Sequence, residues 1–168
     1  MNFHELIARV AKILNKHNVL YAVTVIVELF PSNLKLLKNA LQKISKIAYI
    51  DEDAMKEALE RESEFNFIYP EANLKVDFFI AGKNPITKQE LARRLPLTVE
   101  KETVYFISPE DLILSKLRWH KEGQSSRQLE DIESVLRVQK KLDFKYLKKW
   151  AKLQSTDEIL EWLIKKNQ

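Results

Sequence analysis

The fold of this chain is decided by the stretch VYFISPEDLILSKLRWHKEGQSSRQLEDIESVL (Val104–Leu136), in which a strand leads into two helices. Ser108 can cap the first helix, and Pro109 costs nothing at its first position, because the first helical N–H groups have no intrahelical partner. Asp111 stands three residues after Ser108 and can reach back towards it, as in a capping box. Gly123 then marks the turn into the second helix. The sequence therefore predicts a helical hairpin that begins at Ser108.

One lysine lies at the edge of the apolar stripe of the first helix. Leu112, Ile113 and Leu117 recur at helical spacing, and Lys116 follows Leu112 by one turn. In the second helix, Asp131 flanks the apolar face. An ammonium group that loses water needs a partner, so we expect a Lys116–Asp131 ion pair across the hairpin. The alternative is that both side chains reach solvent along their stems.

The composition limits the class of protein. The chain has 168 residues, 45% of them hydrophobic and 31% charged, and this balance is typical of a soluble globular domain. Because there is no cysteine, disulfides, cysteine-bound zinc and thiol catalysis are excluded. No apolar run is long enough to cross a membrane, and the N-terminus lacks the apolar core of a signal peptide. We therefore expect a cytoplasmic protein, and the Lys- and Glu-rich composition leans towards a thermophilic source.

Hydrophobic periodicity and turn residues predict a mixed α/β fold. The predicted sheet has strands at 20–30, 65–69, 74–80 and 103–107. Further short strands are expected at 48–50 and at 97–99, the second of which pairs with 103–107. Helices are expected at 2–16, from 31 to about 44, and from a cap at Asp51 or Asp53 to about 61. Further helices are expected at 86–94 and in the four segments that follow Ser108. We expect an α/β core over 1–107 and a helical C-terminal subdomain over 108–168, packed together as a single compact domain.

Asp77 stands out by its position in the best predicted hairpin. Leu74, Val76, Phe78 and Ile80 alternate along the second strand and should occupy one face, which places Asp77 on the other. A carboxylate is uncommon in the middle of a strand unless it is exposed, paired or bound to a cation. Taken alone, this pattern indicates a residue that faces solvent.

The order of several motifs resembles the small nucleotidyltransferases of the DNA polymerase β superfamily, of the prokaryotic type related to abortive-infection and toxin–antitoxin proteins. The motifs are YAVT (21–24), IVELFPSNLKLLKNAL (26–41), KVDFFI (75–80) and FISPEDLILSKLRWHKEGQSSRQLEDIESVL (106–136). In that family a glycine-rich turn holds a nucleoside triphosphate (NTP), and three aspartates hold two magnesium ions for in-line displacement. The resemblance implies that Asp77 is the third aspartate. It also implies that Lys116 and Asp131 lie beside the active cleft, where a catalytic or a structural role is open to them.

The sequence departs from the family pattern after Thr24. The family has two glycines, a helix and an Asp-x-Asp strand there, whereas in this chain Val25 to Glu28 follow directly, as if a segment had been deleted. Without the glycines the backbone cannot approach a triphosphate, and one carboxylate holds magnesium poorly. Glu28 could supply a second metal ligand beside Asp77. The end of a surface strand accounts for Glu28 equally well.

Three functional hypotheses follow from these motifs. The first is a nucleotidyltransferase-like protein with impaired catalysis that survives as a binding or assembly module, with a second copy as one candidate partner. The second is an active enzyme that uses magnesium and NTP to modify a protein or RNA. The third is a nucleic-acid-binding module at Arg137–Lys152, which has seven basic residues interleaved with Phe144, Tyr146 and Trp150. An amphipathic helix with lysines on its solvent side explains the same stretch.

Overall fold

The computed structural model describes residues 1–23 and 26–167, which form two compact units, Met1–Ile107 and Ser108–Gln168. The first, here called the N-terminal unit, is a mixed α/β structure built on a five-stranded sheet. The second, the C-terminal unit, is helical. Its helices are α5 (Pro109–Gly123), α6 (Ser126–Val138), α7 (Phe144–Leu153) and α8 (Asp157–Lys166).

The N-terminal unit alternates helices with short strands. Its helices are α1 (Phe3–Lys16), α2 (Pro31–Gln42), α3 (Glu52–Arg61) and α4 (Pro85–Ala92). Its strands are β1 (Leu20–Ala22), β2 (Ile26–Glu28), β3 (Tyr49–Ile50), β4 (Glu64–Tyr69), β5 (Leu74–Ile80), β6 (Leu95–Val99) and β7 (Glu102–Phe106).

The sheet has the order β1-β2-β5-β4-β3, and only the β2–β5 pair is parallel among these strands. The predicted hairpin of β4 and β5 is confirmed, with Asn66 opposite Asp77 and Phe65 opposite Phe78. The single strand predicted at 20–30 is wrong, because the chain folds back on itself and Leu20 pairs with Glu28. Folding back lets both halves of this apolar run take part in the sheet. The deletion point inferred after Thr24 falls on Thr24 and Val25, which lie outside the described residues.

The strand predicted at 103–107 belongs to a different sheet. It forms β7, which pairs with β6 in a separate two-stranded sheet and has a parallel bridge from Phe106 to Val23, the residue after β1. Two hydrogen bonds hold this bridge, one donated by Val23 N–H to Tyr105 and one donated by Ile107 N–H to Val23. The hairpin turn at Glu100 and Lys101 has positive φ at both residues, which suits the twist of two-residue hairpins.

One face of the five-stranded sheet is covered by helices. Side chains of this face pack with those of α1, α2 and α3 in one core; the largest fully buried ones include Tyr21, Phe65, Phe67, Phe78, Leu37, Leu41 and Met55. The alternation along β5 puts Phe78 and Ile80 on this covered face, as predicted. The opposite face carries Asp77, Asn66 and Phe79, which are half-buried. We call it the half-open face.

The C-terminal unit has its own core, in which all four helices take part: Ile113, Leu114, Leu117, Ile132, Leu147, Ala151, Leu160 and Leu163. The predicted helix start is confirmed, since Ser108 Oγ accepts a hydrogen bond from Asp111 N–H at 3.1 Å. Asp111 also reaches back, but to the Ser108 hydroxyl at 2.5 Å. Within the described part of the chain, no helix has the length and apolar character needed to cross a membrane.

Two neighbouring leucines of α2 test this description of the core. Leu37 is 0% exposed and Leu36 is 55% exposed. We expect Leu37→Ala to lower the free energy of unfolding by about 2–5 kcal/mol, because it leaves a cavity. Leu36→Ala, the matched control, should cost less than about 0.5 kcal/mol. Urea denaturation followed by circular dichroism measures both, and equal losses would contradict the packing of α2.

Candidate functional site

Asp77 lies in the middle of β5, on the half-open face of the sheet. The Lys75 ammonium is 2.8 Å from Asp77 Oδ1, and this carboxylate is the main cause that raises the pKa of Lys75. Glu64 of β4, opposite Phe79, raises that pKa further. Glu64 is therefore diagonal to Asp77 on the same face, roughly 7–8 Å away by sheet geometry. The Lys75 ammonium therefore pairs with Asp77 and is also attracted by Glu64.

Glu28 shares the face of Asp77 but not its position along the sheet. Ile26 is directly opposite Phe79 in the parallel β2–β5 pair, so Glu28 lies four residues further along the strand direction than Asp77. At about 3.3 Å per residue, this offset is about 13 Å. The two predicted metal ligands are therefore not brought together. In residues 1–23 and 26–167, no group of three or more His, Asp or Glu side chains is arranged to hold a metal ion.

Asn66 is a neighbour of Asp77 that the sequence reasoning missed. It lies directly opposite Asp77 in the β4–β5 pair, and its Oδ1 is buried without a hydrogen bond from the described residues. The predicted hairpin register contained the signal that could have found it, because side chains of directly paired residues are neighbours. An amide oxygen can ligate a cation, but it adds no charge to the site.

A pocket of about 210 Å³ opens next to Asp77. Asp77 and Lys75 form its polar part, and the remaining lining is almost wholly apolar: Phe3, Ile7, Val10, Ala11 and Leu14 of α1, Tyr21 and Val23, and Val76 and Phe79 of β5. Such a lining favours apolar groups of a ligand and offers few charges to a triphosphate.

The predicted Lys116–Asp131 ion pair is confirmed. Lys116 Nζ is 2.6 Å from Asp131 Oδ2 and donates a second hydrogen bond to Gln128 Oε1 at 3.2 Å. The Lys116 side chain is 15% exposed and that of Asp131 is 43% exposed. Both helices of the hairpin therefore meet at a lysine that has lost most of its water. Lys116 and Asp131 belong to the C-terminal unit, and Asp77 belongs to the N-terminal unit.

The basic stretch 137–152 forms the end of α6, a short connection and most of α7. Tyr146 and Trp150 are half-buried and pack against the core of the C-terminal unit. Tyr146 also donates a hydrogen bond from its hydroxyl to Asp111 Oδ1 at 2.5 Å. The amphipathic-helix interpretation therefore accounts for both aromatic side chains. Lys145, Lys148, Lys149 and Lys152 are exposed, so nucleic-acid binding through this face stays a prediction.

Comparison with known proteins finds no matching family model and no matching curated protein. The nucleotidyltransferase interpretation therefore depends on the motifs and on the placement of the residues described above.

A double-mutant cycle on Lys116→Met and Asp131→Ala tests the energetic role of the ion pair. We expect Asp131→Ala alone to destabilise more than the double variant, because it leaves a largely buried ammonium with Gln128 as its neighbour. The coupling energy should be about 0.5–1.5 kcal/mol, measured by urea denaturation.

The control cycle uses Lys12→Met and Glu102→Ala, since that ion pair has a similar length of 2.5 Å but a lysine that is 68% exposed. Its coupling should be below about 0.5 kcal/mol. Additive effects in the Lys116–Asp131 cycle would mean that the pair contributes nothing to folding.

Proposed function

We propose that this chain is a nucleotidyltransferase-like protein of the DNA polymerase β type in which nucleotidyl transfer is impaired. The observation that carries the proposal is the environment of Asp77: a carboxylate in the middle of β5, paired with Lys75 and opposite the neutral Asn66. The position matches the third metal ligand of the family that the motifs resemble. The surroundings do not suit the chemistry of that family.

Two-metal catalysis needs ions about 3.5–4 Å apart that are bridged and held by several carboxylates. Glu28 is about 13 Å along the sheet from Asp77 and cannot share an ion with it. Glu64 is closer, but the Lys75 ammonium already pairs with Asp77 and is attracted by Glu64 as well. A magnesium ion would have to displace an ammonium that already neutralises Asp77. These residues therefore do not fit a two-magnesium site.

The residues near Asp77 are also poorly suited to binding a triphosphate. The chain has two glycines, Gly82 and Gly123, and neither lies between β1 and β2 in the sequence, where the family holds its substrate. The pocket beside Asp77 is lined by aliphatic and aromatic side chains, which do not stabilise a polyanion. We infer that the protein keeps this scaffold for binding or assembly.

Calorimetric titration with ATP, GTP, CTP and UTP in the presence of magnesium tests this proposal. We expect no binding heat for any of the four and no transfer of a labelled nucleoside monophosphate to the protein or to RNA. Asp77→Ala and the control Asp53→Ala, whose side chain is 92% exposed, should behave like the unchanged chain. Binding that is lost in Asp77→Ala and kept in Asp53→Ala would establish an active site and overturn the proposal.

An insertion variant tests the resemblance separately from the loss of activity. A Gly-Gly turn, a helix and an Asp-x-Asp strand, placed between Thr24 and Val25, should restore magnesium-dependent NTP binding that again requires Asp77. If this variant folds but binds no NTP, the resemblance to nucleotidyltransferases is wrong.

A further inference from the structure

The solvent side of α7 carries a row of lysines. Lys145, Lys148, Lys149 and Lys152 follow one another at three- and four-residue spacing, which places them on one side of the helix. All four side chains are exposed, and within residues 1–23 and 26–167 none of them forms an ion pair. We call this row the lysine face of α7.

The acidic residues near α7 do little to balance this charge. Asp143 is the only acid in the stretch Arg137–Lys152, which has seven basic residues. Its carboxylate accepts a hydrogen bond from Tyr146 N–H at 2.9 Å and so caps α7. Glu161 of α8 lines a groove together with Lys148, but the two side chains do not form an ion pair. The lysine face therefore stays strongly positive, and a polyanion is the complementary partner.

The length of the lysine face suits a nucleic-acid backbone. Lys145 and Lys152 are seven residues apart, so their Cα atoms are separated by about 10 Å along the axis of α7, at about 1.5 Å per residue. One strand in B-form geometry has a phosphate about every 3.4 Å of its axis, so about three phosphates lie along this distance. Lys145, Lys149 and Lys152 occupy the same length. Each of these ammonium groups can therefore meet a phosphate of its own.

One aromatic ring beside the lysine face is exposed. Phe144 is 43% exposed, directly precedes Lys145 and lies one helical turn before Lys148. Tyr146 and Trp150, in contrast, pack against the core of the C-terminal unit. An exposed ring beside cationic groups is the arrangement on which proteins stack unpaired bases. The ring therefore favours a single strand over a duplex, whose bases already stack on one another.

We propose that the lysine face of α7 and Phe144 form a binding surface for single-stranded nucleic acid. The phosphates contact the lysines, and one base stacks on the ring. An anionic membrane is disfavoured, because Leu147 and Ala151 on the apolar side of α7 are fully buried in the core and cannot enter a bilayer. An acidic protein segment would pair with the lysines but has no base to place on Phe144. This proposal does not depend on impaired nucleotidyl transfer.

Fluorescence polarisation with the full chain measures this binding. The probe is a labelled single strand of about twelve deoxyadenylates, a length within the usual site size of single-strand-binding surfaces. We expect binding at low salt and an affinity that falls as salt is raised, because each neutralised phosphate releases counterions. The slope of log affinity against log salt should be about −2 for three phosphate contacts, at about 0.7 per contact.

Two charge-matched triple variants locate the binding surface. The first combines Lys145→Gln, Lys149→Gln and Lys152→Gln. We expect it to weaken binding by about tenfold or more at low salt and to bring the salt slope close to zero. The control changes three exposed lysines of the N-terminal unit to glutamine: Lys35, Lys43 and Lys46. It removes the same net charge, and we expect its affinity to stay within about twofold of the unchanged chain.

Two phenylalanine variants test the stacked base. Phe144→Leu keeps an apolar side chain but removes the ring, and it should weaken binding of the single strand by about fivefold or more. Phe30→Leu is the control, because Phe30 is 52% exposed and lies at the start of α2 in the N-terminal unit. It should bind as the unchanged chain does. Circular dichroism checks that every variant stays folded.

Several results would overturn the proposal. They are no binding of the single strand at low salt, equal losses in the two lysine triples, unchanged binding by Phe144→Leu, or equally tight binding of a duplex of the same length. Tighter binding of polyglutamate would make an acidic protein the partner, and tighter binding of vesicles with anionic lipids would make it a membrane. Either result would also overturn the proposal.

Discussion

The register between β5 and its neighbouring strands controls the candidate site of the N-terminal unit. β5 is the central strand, with β4 and β3 on one side and the β1–β2 hairpin on the other. The antiparallel register with β4 sets Asn66 opposite Asp77, and the parallel register with β2 sets Ile26 opposite Phe79. The second register places Glu28 about 13 Å further along the sheet than Asp77. The state of the candidate site thus follows from strand register.

Electrostatics then determine what the site can do. Asp77 is paired with Lys75, and Glu64 acts on the same lysine, so the carboxylate that would attract a metal ion already has a cation beside it. In the C-terminal unit the lysine is the buried partner instead, and Asp131 supplies the charge that a largely dehydrated Lys116 requires. Contacts within its own unit are enough to account for each ion pair. Their resemblance to catalytic residues of a known family rests on the motifs alone.

Local signals predicted much of this fold. The cap at Ser108, the proline that follows it and the apolar spacing fixed the start of α5, and helical geometry was enough to place Lys116 next to Asp131. The β4–β5 hairpin could also be predicted, because alternation and turn residues act over a few residues. The fold-back of the run at 20–30 could not, since its loop contains no glycine or proline to mark it. The separation of the β6–β7 hairpin from the five-stranded sheet depends on long-range contacts that periodicity does not encode, and the distance between Glu28 and Asp77 depends on strand register.

Paramagnetic broadening of amide signals by Mn²⁺ in the presence of ATP tests most directly the central claim, that Asp77, paired with Lys75 and far from Glu28, does not hold a catalytic metal ion. We predict no selective broadening of the amide signals of Asn66 and Asp77. Selective broadening at these two residues that Asp77→Ala abolishes would contradict this account of the site.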